Sequence, residues 1–597
     1  MPGTRRQRVQ PAGLFLALVR PQGRQSGEAA VAKRSTWIRR TAVIAIGVSI
    51  AATACKRGRS ASGEISRNWT PPQNKRVMGV DVAQAKAAIQ TRLASEPPAP
   101  VDSDSWKHVQ ILYGSFNQSL LWLDDKGVEQ PRVKALLNSL ASADSDALRL
   151  DKYPLAELSR ALQALDQKHP TAQQIADADV LLSSAFVTLG ENMLTGQQKP
   201  KDLGQAWHIN PLEERVDSAL VLTLREDDLG AGLVRMRPQD PGYDSLRVAL
   251  ARYRALAASG GWPEVPRGRR LRRGDTGSET RLATLRMRLA AEGYQIDSTA
   301  PPGRFDRVLA AAVAQFQARH GIVVDSALGQ ETVDALNVPV DYRVAQIASN
   351  LERYRWMPRS LGSRYIFVNV PRFKLTAFDS GQQTLEMKVI VGKDYEDRAT
   401  PVFSDSMEYL IFRPYWNVTP KIAAREIFPL EAEYPGFIAS QDMEVYYEDG
   451  RRSVRQRPGP RNALGFVKFM FPNDFNIYLH DTPNHELFSR NVRAFSHGCI
   501  RLEKPTELAE WVLGWSKEQV EAAMHGGNNH QVTLPEKIPV YIVYFTTILE
   551  NGKLYFGNDL YDRDSTLVQE TRSAALPTPE TLEAQRVLRS MAERAEE

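Results

Sequence analysis

The stretch RAFSHGCIRL, residues 493–502, crowds Ser496, His497, Cys499 and Arg501 around a single glycine, Gly498. Cys499 is one of two cysteines in the chain. A thiol needs help to attack a carbonyl near neutral pH, because its reference pKa is about 8.5 and the thiolate is the reactive form. A neighbouring imidazole gives that help. The sequence offers His480, nineteen residues upstream. In NDFNIYLHDTP (473–483), Phe475, Ile477 and Leu479 alternate to one face, and Asn476, Tyr478 and His480 to the other. A strand burying the apolar face presents His480 at its end, before the Asp481-Thr482-Pro483 turn. By the same alternation Ile500 and Leu502 point inward, and Cys499 and Arg501 share the opposite face. Gly498 lets backbone approach closely, so the amides near Gly498 and Cys499 are candidate oxyanion donors. The Arg501 guanidinium suits bidentate capture of a substrate carboxylate.

Two other readings stand beside the nucleophile. His480, His485, His497 and Cys499 are zinc-ligand types, and His497 and Cys499 can chelate at i and i+2, although no CxxC or HExxH spacing is present. A free cysteine is also commonly a small buried hydrophobe. The residues alone order these readings as nucleophile, zinc ligand, inert core.

The rest of the chain must position these groups. Its 597 residues correspond to roughly four units at about 150 residues each. The net charge is +6, but the first 54 residues hold nine Arg/Lys and one Glu, so the remainder carries −2. The basicity therefore belongs to the N-terminus, and nothing downstream calls for nucleic acid. Lys33, Arg34, Arg39 and Arg40 precede the apolar run TAVIAIGVSIAAT (41–53), which fits an export-signal core and is short for a membrane span. Ala54-Cys55 after that run resembles a bacterial lipobox, with Ala52 where Leu is usual. Cys55 is the lipidation candidate, and residues 1–55 read as an export segment. Cys499 then lacks a disulfide partner.

A linker (56–75) leads to a helical scaffold at 76–258, where ALLNSLASADSDALRL and LAELSRALQAL have helical apolar spacing and Ala176–Pro200 starts as an amphipathic helix breaking at Thr195-Gly196. SGGWPEVPRGRR (259–270) reads as a second linker. Residues 271–340 form a compact unit. Leu282, Leu285 and Leu289 lie on one helical face, and Asp306 is placed to N-cap a helix carrying Leu309, Val313 and Phe316. Residues 345–557 read as mainly β: YIFVNV, LEMKVIVG with Leu385, Met387, Val389 and Val391 at period two, and an Asn551-Gly552 hairpin signal. One helix is expected at TELAEWVLGW. The tail, 565–597, reads as charged, helix-prone and exposed. The predicted class is multidomain α+β.

The unit at 271–340 resembles the small three-helix peptidoglycan-binding domain, through Arg272, Gly274-Asp275, Gly277, Gly293-Tyr294, Phe305-Asp306, Phe316-Gln317, Gly321, Asp325, Gly329, Thr332 and Leu336-Asn337. It departs at Ser326, where glycine is usual. SHGCIRL with YLHDTP resembles the signature of bacterial L,D-transpeptidases of the YkuD type. RQRPGPRNALGFVKFMFPN, RPYWNVTPKIA, VIVGK and LERYRWMP extend the likeness to the large periplasmic subclass over residues 105–557. Arg413 stands where asparagine is usual, and Thr419-Pro420 is a slight variant. The resemblance implies Cys499 as acyl-accepting nucleophile, His480 as base oriented by the Asp481 carbonyl, and His497 with neighbouring amides shaping the oxyanion site. It further implies Ser496 as loop support, Tyr415 and Trp416 lining the donor cleft, and residues 421–462 as a capping insertion. No metal or cofactor is implied.

The expected function is formation of 3→3 cross-links between peptidoglycan stem peptides, outside the cytoplasm and with lipid anchorage through Cys55. The alternatives are an L,D-carboxypeptidase using the same site, a non-catalytic wall-binding scaffold, and a zinc hydrolase.

Overall fold

The computed structural model describes residues 65–597 except 126, 128–130, 167–168, 205, 210–214, 395–397, 577 and 595–597. The export segment and Cys55 lie outside the described residues.

The N-terminal part is helical after a small hairpin, β1 (Arg76–Val77) with β2 (Val80–Asp81). Its axis is the Ala172–Thr195 helix, started by a Thr171/Gln174 capping box and ended at Gly196, whose φ is 87°. That break falls where the sequence places it. The helix is apolar on nearly every side, not along one stripe, because Val82–Leu93, Ser103–Ser115 and Leu155–Ala164 pack around it. Inside, Asp179 accepts from the amides of Leu121 (3.0 Å), Trp122 (2.8 Å) and Leu123 (3.2 Å) and from the Tyr113 hydroxyl (2.6 Å). One carboxylate thus holds a turn that would otherwise bury unpaired donors.

The three-helix unit comprises Glu279–Ala291, Arg307–Arg319 and Gln330–Leu336 around Leu282, Leu285, Leu289, Leu309, Val313, Phe316 and Leu336. Asp306 caps its helix by accepting from the Leu309 amide at 2.9 Å. The segment read as a linker is pinned to this unit. Val265 is buried, the Asn337 side chain bonds both its amide (2.8 Å) and its carbonyl (2.9 Å), and the Arg288 guanidinium lies 3.7 Å from the Trp262 ring centroid.

A strand contributed by the helical part, β3 (Trp207–His208), opens the main sheet. It continues with β4 (Arg364–Asn369), β5 (Lys374–Asp379), β6 (Gln382–Gly392) and β7 (Val402–Phe412). Next come β8 (Trp416–Asn417), β9 (Met443–Glu448) and β10 (Arg451–Gln456), a separate three-stranded sheet. The main sheet resumes with β11 (Val467–Met470), β12 (Leu479–His480), β13 (Ala494–Ser496), β14 (Ile500–Leu502) and β15 (His530–Val543). A hairpin of β16 (Thr547–Glu550) and β17 (Lys553–Phe556) follows, turning at Asn551-Gly552 with φ of 50° and 70°. That geometry is the one Asn-Gly favours. The order β11-β12-β14-β6-β5-β4-β15-β7 returns on itself, because β7 also pairs with β11. Closure encloses a core that includes Val389, Val391, Leu410, Phe469, Leu479, Ile500 and Val540. The segment around β8–β10 has its own small core of Val418, Ala423, Ile427, Ile438, Met443 and Val454. The expected helix near 506–515 is Pro505–Leu513, with Leu508 and Val512 buried.

The Val340–Arg355 helix joins these parts and is buried on most sides. Arg353 bonds Asp564 at 2.5 Å, Asn350 bonds Thr546 at 3.0 Å, Glu352 accepts the Gln198 amide at 2.7 Å, and Arg355 donates to the Asp146 carbonyl at 2.8 Å.

The tail corrects one expectation. It is helical, as Ser565–Ala575 and Pro579–Arg594, but one face of each helix is buried. The first helix lies on Val340–Arg355 and the second on Pro131–Ala141, where Leu588, Met591 and Ala592 join the core of the helical part. The apolar residues of this charged segment share one side, and a mean composition hides such a stripe.

A Leu588→Ala variant should lose about 2–4 kcal/mol in the urea transition of the helical part; a change within about 0.5 kcal/mol would mean the tail is exposed after all. Ser326 and Arg413, two of the departures from the family patterns, have left-handed φ of 56° and 51°. Relieving them with Ser326→Gly or Arg413→Asn should raise stability by about 0.5–1 kcal/mol each, read as a higher denaturation midpoint.

Candidate active site

The pair that matters comes from two very short strands. β12 and β14 run parallel with Leu479 opposite Ile500 and His480 opposite Arg501. Leu479, Ile500 and Leu502 are buried in the closed sheet. His480 and Arg501 therefore lie on the other face, and Tyr478 and Cys499 precede them by two residues on that face. Short as they are, both strands are held: β12 is flanked by β11, and β14 by β6. The longer strand expected from residue 473 is not formed. Asn473 instead builds a turn, its side chain accepting from the Phe475 (3.0 Å) and Ile477 (3.2 Å) amides and donating to the Ile477 carbonyl (2.8 Å). Asn476 is left-handed (φ 54°), and Phe475 is exposed rather than inward. Local side-chain bonding of this kind competes with strand formation.

The His480 ring is buried, and its Nδ1 lies 2.5 Å from the Asp481 carbonyl. A carbonyl only accepts, so Nδ1 carries the proton and Nε2 keeps its lone pair. Burial, with Arg501 and Lys468 adding to it, lowers the His480 pKa to about 3 against the opposing pull of the Asp481 carbonyl. The imidazole is neutral at physiological pH. The Asp481 carboxylate faces away, accepting from the Phe466 (2.8 Å) and Thr482 (2.7 Å) amides. A side chain on Gly465 would put its Cβ 2.2 Å from that carboxylate, so only glycine fits there.

The Cys499 thiol is half-buried and its Sγ lies 3.7 Å from the Asn476 carbonyl. Burial raises its pKa, while Tyr478, Lys468 and Arg501 pull it down. The loop before it is closed internally. The Ser496 hydroxyl donates to the Cys499 carbonyl at 2.5 Å and accepts from the Gly498 amide at 3.2 Å. Gly498 has φ 115°, a conformation that side chains avoid. Its amide is thus already taken by Ser496, which leaves the Cys499 amide as the donor next in line for an oxyanion.

Several residues that the sequence did not single out complete this loop. Thr400, fully buried, donates to the Gly498 carbonyl (2.8 Å) and accepts from the Gly392 amide (2.9 Å). The Tyr561 hydroxyl donates to the Gly392 carbonyl (2.7 Å) and accepts from the Thr400 amide (3.2 Å). Tyr561 lies past the expected end of the catalytic unit at 557, and only contact across the fold reveals it. His497 turns away from the thiol, with Nε2 2.8 Å from Glu426, which also bonds Arg398 at 2.8 Å. Its bond to His497 is the main cause of a lowered Glu426 pKa. Glu426 sits in Ala423–Ile427, one turn of π-helix in the segment read as a cap.

Other expected residues are placed as follows. Tyr415 is exposed with the Arg455 guanidinium 4.7 Å from its ring. Trp416 pairs with Gln456 and packs against the small core of its own segment. Arg501 is half-buried, with its Nε unbonded among the described residues. His485 is exposed, 3.8 Å from the Asp481 carboxylate. Among the described residues, no three His, Cys, Asp or Glu side chains converge as a ligand set, and no helix is long and apolar enough to cross a membrane.

Known proteins give this geometry a class. Residues 363–542 match the model for the L,D-transpeptidase catalytic domain, 107–250 that for a scaffold domain, and 278–336 that described as "Putative peptidoglycan binding domain". One chain thus carries a region similar to each of these three parts, a combination consistent with the large multidomain subclass of L,D-transpeptidases. A Haemophilus influenzae protein named "Putative L,D-transpeptidase" is 31% identical over 239 residues, 37% of this chain and 48% of its own. The chain thus spans about half the length of that curated relative. A solved L,D-transpeptidase (residues 123–326) from Xylanimonas cellulosilytica aligns at 16% identity over 47% of this chain and 99% of its own, with a TM-score of 0.15. A fused Zn-dependent amidase/peptidase/peptidoglycan-binding domain-containing protein from Clostridium acetobutylicum aligns at 14% over 46% and 100%, with a TM-score of 0.14. Neither score carries a structural argument.

The His480 pKa yields a signed pH dependence. Because it lies near 3 in the folded protein and about 6.5 in the unfolded chain, the unfolded state binds the proton more readily between those values. The stability involved is present above about pH 6.5 and lost as pH falls toward 3. Buried His320, also near 3, adds a second slope. The wild-type melting temperature should therefore fall more steeply than that of His480→Asn between pH 7 and 4; parallel curves would refute the neutral buried imidazole.

Proposed function

We propose that the protein is a peptidoglycan L,D-transpeptidase that forms 3→3 cross-links through a Cys499 thioester. The observation that carries this reading is the β12–β14 pairing, which sets a neutral imidazole with a free Nε2 diagonal to a thiol. Cys499 attacks the carbonyl at the L-centre of the third residue of a donor tetrapeptide. Nε2 of His480 takes the thiol proton as the C–S bond forms. The tetrahedral intermediate places its oxyanion by the Cys499 amide and the loop that Ser496 and Thr400 hold. The C–N bond then breaks, and His480 returns the proton to the departing D-Ala amine. The side-chain amine of an acceptor stem attacks the thioester, giving the cross-link and restoring the thiol. Arg501 is assigned to a donor carboxylate, Tyr415 and Trp416 to the donor cleft, and the segment 421–462 to capping it. The reaction needs no metal or organic cofactor in this scheme. Peptidoglycan as substrate places the catalytic part outside the cytoplasm, and Cys55 is assigned as its lipid anchor.

The test is incubation of purified protein with disaccharide-tetrapeptide, followed by mass spectrometry, with Cys499→Ala and chelator controls. Cross-linked dimers should form and vanish in the variant, with the chelator having no effect. D-Ala release without dimers would make the protein an L,D-carboxypeptidase. Loss of turnover with chelator would replace the thiol mechanism with a zinc one, and no turnover at all would leave a wall-binding scaffold.

A further inference from the structure

One lysine on the site face has no ion-pair partner among the described residues. Lys468 sits in the middle of an apolar strand, VKFM, whose Val467 and Phe469 are buried. Strand alternation sends Lys468 to the opposite face, and the β11–β12 register sets it directly across from His480. Its ammonium lies 3.8 Å from the centroid of the Tyr478 ring. Tyr478 in turn stands beside Cys499 through the β12–β14 register. Among the described residues, no carboxylate lies within ion-pair reach of Lys468, unlike Lys374, which has Glu386 and Glu550, or Lys388, which has Glu503.

A half-buried ammonium on an aromatic face is held there by the ring quadrupole but not neutralised by it. The place lacks an anion. The groups facing Cys499 are Tyr478 and His480 from β12, Lys468 from β11, and Arg501 from its own strand, with Glu486 acting on Arg501 from the 485–489 turn. His497, with Glu426 and Arg398, is bonded elsewhere on the preceding loop. Burial pushes the Tyr478 hydroxyl well above its ordinary value, so it does not supply the missing charge. The thiol is the remaining acid.

We propose that Lys468 is a positioning residue for Cys499: its ammonium, seated on Tyr478, is the fixed counter-charge that favours thiolate over thiol. The proposal deepens the reading of Cys499 as a nucleophile and rests on it. In this arrangement the same cation that stabilises the thiolate disfavours an imidazolium at His480. The thiol proton still passes to Nε2 of His480 and from there to the leaving amine, while the strand β11 cation and Arg501 steady the charge left on sulfur.

The test is the pH dependence of iodoacetamide alkylation at Cys499, read on its own peptide by mass spectrometry in the full chain, with Cys499→Ala as blank. Lys468→Met should raise the alkylation midpoint by about one pH unit, which is about tenfold in rate on the acid side of the profile. Lys468→Arg should stay near wild type. Lys468→Gln, whose side chain keeps polarity without charge, should behave like the Met variant and covers the case in which Met alone fails to fold. An unchanged profile in Met and Gln overturns the proposal. So does an equal shift in the Arg variant together with a lowered melting temperature, since that marks a packing role. Alkylation uses no peptidoglycan, so absence of cross-linking would count against the proposed function and leave this result standing on its own.

Discussion

The buried charges of the Val340–Arg355 helix are the constraint on which the rest depends. Arg353 and Arg355 are each only 1% exposed; Arg353 pairs with Asp564 far along the chain, whereas Arg355 pairs with Glu352 on the same helix and the two meet other parts through backbone groups. A buried ion pair adds little net stability, but separating one leaves an uncompensated charge that costs about 3–5 kcal/mol. Arg353 reaches Asp564 beyond the catalytic sheet, while Arg355 and Glu352 reach Asp146 and Gln198 in the helical part. Asp146 itself holds Arg237 (3.0 Å) and Arg247 (2.8 Å). Sliding one part against another would strand several of these groups at once. The helix therefore fixes a single seating for these parts, alongside the β3–β7 pairing.

That seating continues toward the thiol. The Asp564 amide donates to Asp559 at 2.7 Å, and Asp559 also takes the Tyr544 hydroxyl at 2.7 Å. Tyr544 accepts from the Tyr561 amide at 2.7 Å, and Tyr561 ties Gly392 to Thr400, which holds the Gly498 carbonyl. Each step is a direct bond between buried or half-buried groups, so the position of the loop before Cys499 is set by packing at the hub as well as by its own Ser496 clasp. Under the proposed role of Cys499 such rigidity matters, since a misplacement of about 1 Å costs about a hundredfold in rate.

Alternation made much of the site legible. Ile500 and Leu502 against Cys499 and Arg501, and Leu479 against His480, follow from period two alone, and the closed sheet buries the apolar set as that pattern demands. The pattern overreached at Phe475, because Asn473 satisfies the local amides with its own side chain and the strand begins later. It was silent on Thr400 and Tyr561. A threonine or tyrosine has no signature until its partner is known, and their partners lie 98 and 169 residues away. Lys468 did leave a trace, as a lone charge inside VKFM. Two of the departures, Ser326 and Arg413, sit left-handed, where the usual glycine or asparagine carries less strain.

The segment between β8 and β10 is bound to this machinery by more than its chain ends. Glu426 bridges His497 on the loop before Cys499 and Arg398 on the β6–β7 connection, and the π-turn at Ala423–Ile427 aims it there. Inserting one extra residue into a helical turn shifts every following side chain by about 100°, so the turn decides which residue reaches His497. Its own core of Val418, Ile427, Met443 and Val454 keeps the segment folded as a body. Among the described residues, the His497–Glu426 contact ties this body, with its own core, to the loop that carries Cys499.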